Sequence, residues 1–239
     1  MLKTKRLLAV SPAILCVFSA FFPLCRTIGG LFGYDFILRN DSVFLAVLAV
    51  LSGTAAMLFF WNRSPVSRTQ AVFSALLPLC SAVNGLFFLL DSSSRRTTVF
   101  WVLFCYACSV AILVKAVLRP AWKIASILLS AALTGVLLFS SFLSLVFGDL
   151  GVKTVVSSAP SPQKTFTAEV IDSDQGALGG STLVLIRSNN AAGADLLLCK
   201  FSEAPVCVYT GHWGEFRTMK LAWKDERTLT INGMEYAIA

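Results

Sequence analysis

Five stretches of this chain run for about 20 residues each with almost no charge, and no other feature limits the fold so strongly. They are residues 7–25, 42–61, 71–90, 99–118 and 124–147. A hydrocarbon core about 30 Å thick is crossed by roughly 20 helical residues, because each residue rises only about 1.5 Å. The breaks carry loop punctuation: Asn40 and Asp41, Asn62 to Gln70 with Pro65, Asp91 to Arg96, and Arg119 with Pro120. Trp61, Trp101 and Trp122 fall near run ends, where an amphipathic ring favours the headgroup layer. No small-x-small cleavage site follows the first run, and neither Cys16 nor Cys25 sits in a lipoprotein-type context, so that run is expected to stay as a helix.

The net charge of +7 would suit a nucleic-acid binder only if it lay on one folded surface. It does not. Residues 1–151 hold 12 Lys and Arg against four acids, which is +8, while residues 152–239 hold eight against nine, which is −1. Nucleic acid is therefore excluded as the expected partner, and the bilayer takes its place. With the N-terminus inside, the inner segments carry Lys3, Lys5, Arg6, Arg63, Arg68, Lys115, Arg119 and Lys123, and the outer loops only Arg26, Arg39, Arg95 and Arg96. The excess of inner cations predicts a cytoplasmic N-terminus and, after five crossings, an extracytoplasmic tail.

An internal repeat stands out. VFSAFFPLCRTIGGLF (17–32) and VFSALLPLCSAVNGLF (72–87) agree at 10 of 16 positions, with Pro23 and Pro78, Cys25 and Cys80, and Gly30 and Gly85 in register. Shared apolar composition does not explain those matches. Helices 1 and 2 are thus expected to duplicate helices 3 and 4, with a pseudo-twofold axis along the membrane normal. The match also lets helix 1 run to about residue 34, which would put Arg26 inside it. An intramembrane Arg26 or Asn84 would be a functional candidate, although an Arg near a helix end commonly snorkels to the interface.

Beyond Gly151 the pattern changes to alternation with turn signals every eight to twelve residues, so residues 152–239 are expected to form a small antiparallel all-β domain, a sandwich or open barrel. Asn232-Gly233 suits a type I′ turn, pairing Ile231 with Met234 and Leu229 with Tyr236. Strands are also expected at 166–171, 182–187, 196–201, 206–209 and 217–223, with 182–187 central because both its faces are apolar. A hairpin centred on Glu203 would place Cys199 opposite Cys207 and allow a disulfide outside the cytoplasm.

The segment SPQKTFTAEVIDSDQGALGGSTLVLI, with GHWGEF and AWKDERTLTINGMEY after it, resembles a family of bacterial membrane-anchored proteins whose C-terminal extracytoplasmic β domain has no known function. In that family a Ser-Pro-Asp-Gly-Lys turn opens a strand and a Trp-x-Asp turn precedes the last hairpin. Trp223, Asp225 and Asn232-Gly233 fit, whereas Ser161-Pro162-Gln163-Lys164 lacks the Asp-Gly pair. The resemblance covers about 80 residues of this sequence and implies no catalytic residues.

The remaining motifs are weak. Asp172 and Asp174 resemble the opening of a calcium loop, but Gly176 and Leu183 stand where further oxygen ligands belong. Gly179 and Gly180 read as a turn before an anion nest. Ser161 and Lys164 have Ser-x-x-Lys spacing without the helix start that such a nucleophile requires. His212 is the only histidine, so a multi-histidine zinc site is unsupported. His212, Trp213, Glu215 and Phe216 form a glycine-flanked loop that is a candidate interaction surface. Cys105 and Cys108 form a C-x-x-C pair, which raises a remote thiol-disulfide oxidoreductase reading without an exposed partner pair to support it. The expectation is an integral membrane protein without cofactor or catalysis, displaying its β domain to an envelope component; a small transporter built on the repeat is the alternative.

Overall fold

A computed structural model of the chain describes residues 2–61, 66–91, 95–116, 120–146, 152–174, 179–189 and 193–238. It has two compact units, one of Met1–Ile28 with Leu38–Val146 and one of Gly29–Ile37 with Phe147–Ala239. The first is a bundle of five helices, each long and apolar enough to cross a membrane, and the second is built of antiparallel strands. Pro65, Arg63, Arg119, Asp149 and Gly151 lie outside the described residues.

The helices are α1 (Leu2–Leu31), α2 (Asp41–Trp61), α3 (Arg68–Asp91), α4 (Arg95–Ala116) and α5 (Pro120–Val146). Their ends follow local chemistry. Gly33, with φ +75°, closes α1 and donates its N–H to Gly30 O at 3.2 Å; that left-handed position favours glycine. The Asn40 carboxamide oxygen accepts from Val43 N at 3.0 Å and caps α2. Ser67 and Gln70 form a reciprocal capping box at the start of α3, at 2.8 and 3.2 Å. Pro120 occupies the first turn of α5, where a missing N–H costs nothing. Helix α1 extends past Cys25, so Arg26 lies within it.

The bundle core gathers Leu15 and Cys16 of α1, Leu48, Ala49, Ala55 and Phe59 of α2, Leu77 of α3, and Cys105, Ile112 and Ala116 of α4. Outward faces remain apolar, with Phe21, Phe60, Leu128 and Phe139 all exposed. Water would penalise such a surface, and lipid chains accept it. Polar contacts also tie helices together. The Lys115 ammonium of α4 donates to Phe59 O and Phe60 O in the last turn of α2. The buried Tyr106 hydroxyl of α4 donates to Ser130 O of α5 at 2.7 Å.

Among the described residues the strands of the β unit form three sheets. The first comprises β2 (Val152–Pro160), β3 (Phe166–Asp174), β4 (Gly180–Ser188) and β7 (Val206–His212); the second comprises β8 (Leu221–Trp223), β9 (Thr228–Ile231) and β10 (Met234–Ala237). Ala168, Val170, Val184 and Ile186 of the first sheet pack with Leu229 and Ile231 of the second, a small sandwich. Strand β4 is interior, as its two apolar faces require. The last hairpin has the expected register, with Asn232 at φ 51° and Gly233 at φ 88°, although Met234 is exposed.

The third sheet departs from expectation. Its strands are β1 (Tyr34–Leu38), β5 (Ala194–Asp195) and β6 (Cys199–Glu203). Strand β1 belongs to the connection between α1 and α2, far from the tail in sequence, yet Ala204 N donates to Gly33 O at 2.8 Å and the Phe36 and Phe201 rings lie 4.9 Å apart. Residues 217–220 are not strand, because Glu215–Arg217 forms a 3-10 turn.

The two repeat glycines differ in surroundings. A Cβ on Gly85 would fall 2.5 Å from Val102 Cγ1, whereas one on Gly30 meets nothing within 4 Å. Gly85→Val should therefore destabilise the α3–α4 contact by about 1–3 kcal/mol, and Gly30→Val should cost nothing comparable. Thermal unfolding of the two variants in detergent measures the difference.

Candidate functional site

The loop 211–216 is held from three directions by one carboxylate. Glu215 Oε1 accepts from the Tyr209 hydroxyl at 2.6 Å and from Asn232 Nδ2 at 3.0 Å, while Oε2 accepts from His212 N at 3.0 Å. The Tyr209 phenol is raised above its ordinary pKa, first by the hydrogen bond it donates to Glu215. The buried Thr182 hydroxyl supports the loop from β4, donating to His212 O at 2.9 Å and accepting from Phe216 N at 3.3 Å. Gly211 leaves room for the arrangement, since a Cβ there would fall 2.0 Å from Glu215 Oε2 and 2.7 Å from the Tyr209 ring.

These restraints sort the four expected loop residues. Phe216 packs against the sandwich core and Glu215 is the tie point. His212 and Trp213 face outward, Trp213 remaining 56% exposed with its ring across Gly180, where a Cβ would sit 2.5 Å from Cδ1. The result is a fixed backbone presenting an imidazole and an indole. The sequence marked these four residues together as a candidate interaction surface and gave no sign of the roles of Tyr209 and Thr182, which no local motif marks.

A second carboxylate organises the Ser161–Lys164 turn. Glu226 Oε1 accepts from the buried Ser161 hydroxyl at 2.5 Å and from Thr165 N at 3.1 Å, and Oε2 accepts from Gln163 N at 2.8 Å. Ser161 Oγ also accepts from Phe166 N at 3.0 Å. Its hydroxyl is thus fully engaged on a turn, the opposite of a nucleophile at a helix start. Lys164 has φ 60°, a position that glycine fills without strain. Asp225 accepts from Arg227 N at 2.8 Å, and Trp223 Nε1 donates to Ala159 O at 3.0 Å, so the Trp-x-Asp turn and the Ser-Pro turn are knitted together.

The other candidates fare differently. Asp172 and Asp174 lie in β3, paired with Thr182 and Gly180 of β4, and Gln175 and Gly176 lie outside the described residues. No group of three or more metal-ligating side chains occurs among the described residues. Gly179 has φ +95° and leads into β4. The disulfide between Cys199 and Cys207 is not formed: β6 and β7 belong to different sheets, Cys199 is buried, and Cys207 is exposed. Cys105 and Cys108 are likewise free thiols. In the helical unit, the Arg26 guanidinium lies 6.0 Å from the Phe22 ring centroid, and Phe22 stacks on Phe88 of α3 at 4.4 Å. Asn84, one turn before Phe88, is buried, and its Oδ1 has no hydrogen-bond partner.

Two measurements check this geometry. Glu215→Ala should speed hydrogen exchange at the His212 amide by about tenfold, the loss of roughly one hydrogen bond to a carboxylate, while Trp213→Ala leaves it unchanged. For Glu226, desolvation raises the carboxyl and the bonds from Ser161, Gln163 and Thr165 outweigh it, leaving it below its usual 4.5. Asp225 is also lowered, first by the Arg227 N–H. Both carboxyls bind protons more weakly folded than unfolded, so their stabilisation is present above the usual values of 4.5 for Glu226 and 3.8 for Asp225 and is lost as pH falls below them. Glu226→Gln should flatten the acid limb of a thermal-stability profile. Comparison of the chain with family models, curated proteins and solved structures gives no match, so the reading of this site rests on its own geometry.

Proposed function

We propose that this multi-pass membrane protein displays its β unit on the extracytoplasmic side, where the 211–216 loop binds or senses another envelope component without catalysis. The observation that carries the reading is the Glu215 tie: it spends the loop's carboxylate on fixing the backbone and leaves His212 and Trp213 facing outward. Exposed aromatic residues on a rigid backbone are the usual anchors of a binding surface. The family resemblance, with its membrane-anchored extracytoplasmic β domain, agrees with this reading.

The topology has independent support. Residues 29–37 and the tail share one compact unit, so an even number of crossings must separate them, and α2 to α5 supply four. The excess of inner Lys and Arg then favours the outside for that unit. Cys207, free and exposed, is a native reporter. A membrane-impermeant maleimide should label it in intact cells, and labelling only after permeabilisation would overturn the orientation. Photocrosslinking from position 213 in the native membrane should capture a partner, with the adduct lost in His212→Ala.

Transport is a second reading, and buried Asn84, whose Oδ1 has no hydrogen-bond partner, is what favours it. Asn84→Ala or Arg26→Ala at normal surface levels would abolish activity if the bundle frames a pathway, and would be silent if the bundle is an anchor.

A further inference from the structure

The tip of the β5–β6 hairpin is a surface for which folding offers no reason. Register pairs Ala194 with Phe201 and Asp195 with Lys200, and Leu196 N donates to Cys199 O at 2.9 Å, which leaves Leu197 and Leu198 as a two-residue turn. Turns of that length take Asn-Gly, Asp-Gly or Gly-x, because their backbone needs positive φ and their side chains face water. This one has leucine at both places, neither with positive φ, and they are 88% and 66% exposed beside an exposed Leu196. The Asn232-Gly233 turn in the same unit follows the rule. Three consecutive exposed leucines weaken solubility and add nothing to the sandwich core, so their gain must come from a surface outside the chain.

Connectivity identifies that surface. Strand β1 lies between two membrane spans, with only residues 32–40 separating the end of α1 from the start of α2. A segment of that length that leaves and returns cannot rise more than about 16 Å. Ala204 N bonds Gly33 O and the Phe36 and Phe201 rings pair, so β6 runs antiparallel to β1 with its Cys199 end beside Leu38. Leu38 stands just before Asp41, where α2 and its membrane span begin, so the leucine tip is tied by chain connectivity within a few residues of a span. Just behind the tip, exposed Lys200 is paired with Asp195 across the hairpin.

We infer that the Leu196–Leu198 tip inserts into the bilayer interface next to the α1–α2 connection. The inference holds for either side of the membrane and so stands apart from the proposed orientation and binding role. It is tested on the full chain in vesicles of phosphatidylethanolamine and phosphatidylglycerol, with the photoreactive residue p-benzoylphenylalanine placed at 197 and, for comparison, at the exposed Ala222 of β8. Insertion predicts a lipid adduct at 197 roughly tenfold or more above that at 222, the preference one buried leucine-sized side chain confers. Equal, low lipid adducts at both positions would overturn it, as would an adduct from 197 to protein in place of lipid. Position 198, probed the same way, gives the same discrimination if the first replacement does not express.

Discussion

Hydrocarbon offers no water to a peptide group, so every backbone N–H and C=O inside the bilayer must find its partner within the protein. The helical unit is the answer to that demand, and its sequence-specific polar chemistry is concentrated where helices stop satisfying themselves. Asn40 and the Ser67–Gln70 box take up free N–H groups at helix starts. Lys115 donates to carbonyls in the last turn of α2. Between those ends the bundle relies on shape, with Gly85 letting α3 approach Val102 of α4 and Leu137 of α5, and on the buried Tyr106–Ser130 hydrogen bond.

The β unit meets the same problem in water with a different tool. Its turns leave amides without strand partners, and two carboxylates collect them: Glu215 takes the His212 N–H, and Glu226 takes those of Gln163 and Thr165. Each carboxylate also accepts a hydroxyl, from Tyr209 or Ser161, so each turn is fixed to a neighbouring strand and not merely closed on itself. Acceptors of this charged type form the stronger class of protein hydrogen bonds. A rigid surface loop can then be maintained on a small core.

The features that were legible in the sequence were those written in local code. Five apolar runs announced five helices, and Asn232-Gly233 announced a hairpin down to its register. What escaped depends on residues distant in the chain. The five residues of β1 lie in a connection between two hydrophobic runs, where nothing local distinguishes strand from loop, and its partner is in the tail. Cys199 and Cys207 have the spacing of hairpin neighbours, but β6 pairs with β1 and β5 while β7 pairs with β4, which separates them. Of the loop residues, His212 and Trp213 were identifiable as candidates from their glycine flanks. The supports Tyr209 and Thr182 were not, since their roles exist only once β4 and β7 lie side by side.

Strand β1 also sets an order of events for the growing chain. It is synthesised before α2, and its hydrogen-bonding partner β6 arrives only after four more helices and half the tail have been made. Throughout that interval a short strand edge waits at the membrane surface with its amides and carbonyls unpaired, open to any passing strand. Completion of the β unit is therefore a late, long-range closure that joins the first connection of the chain to its end. A polypeptide cut short before β6 would keep its bundle-forming helices and yet carry an unsealed edge, a local signal by which a cell's proteases could tell an unfinished molecule from a finished one.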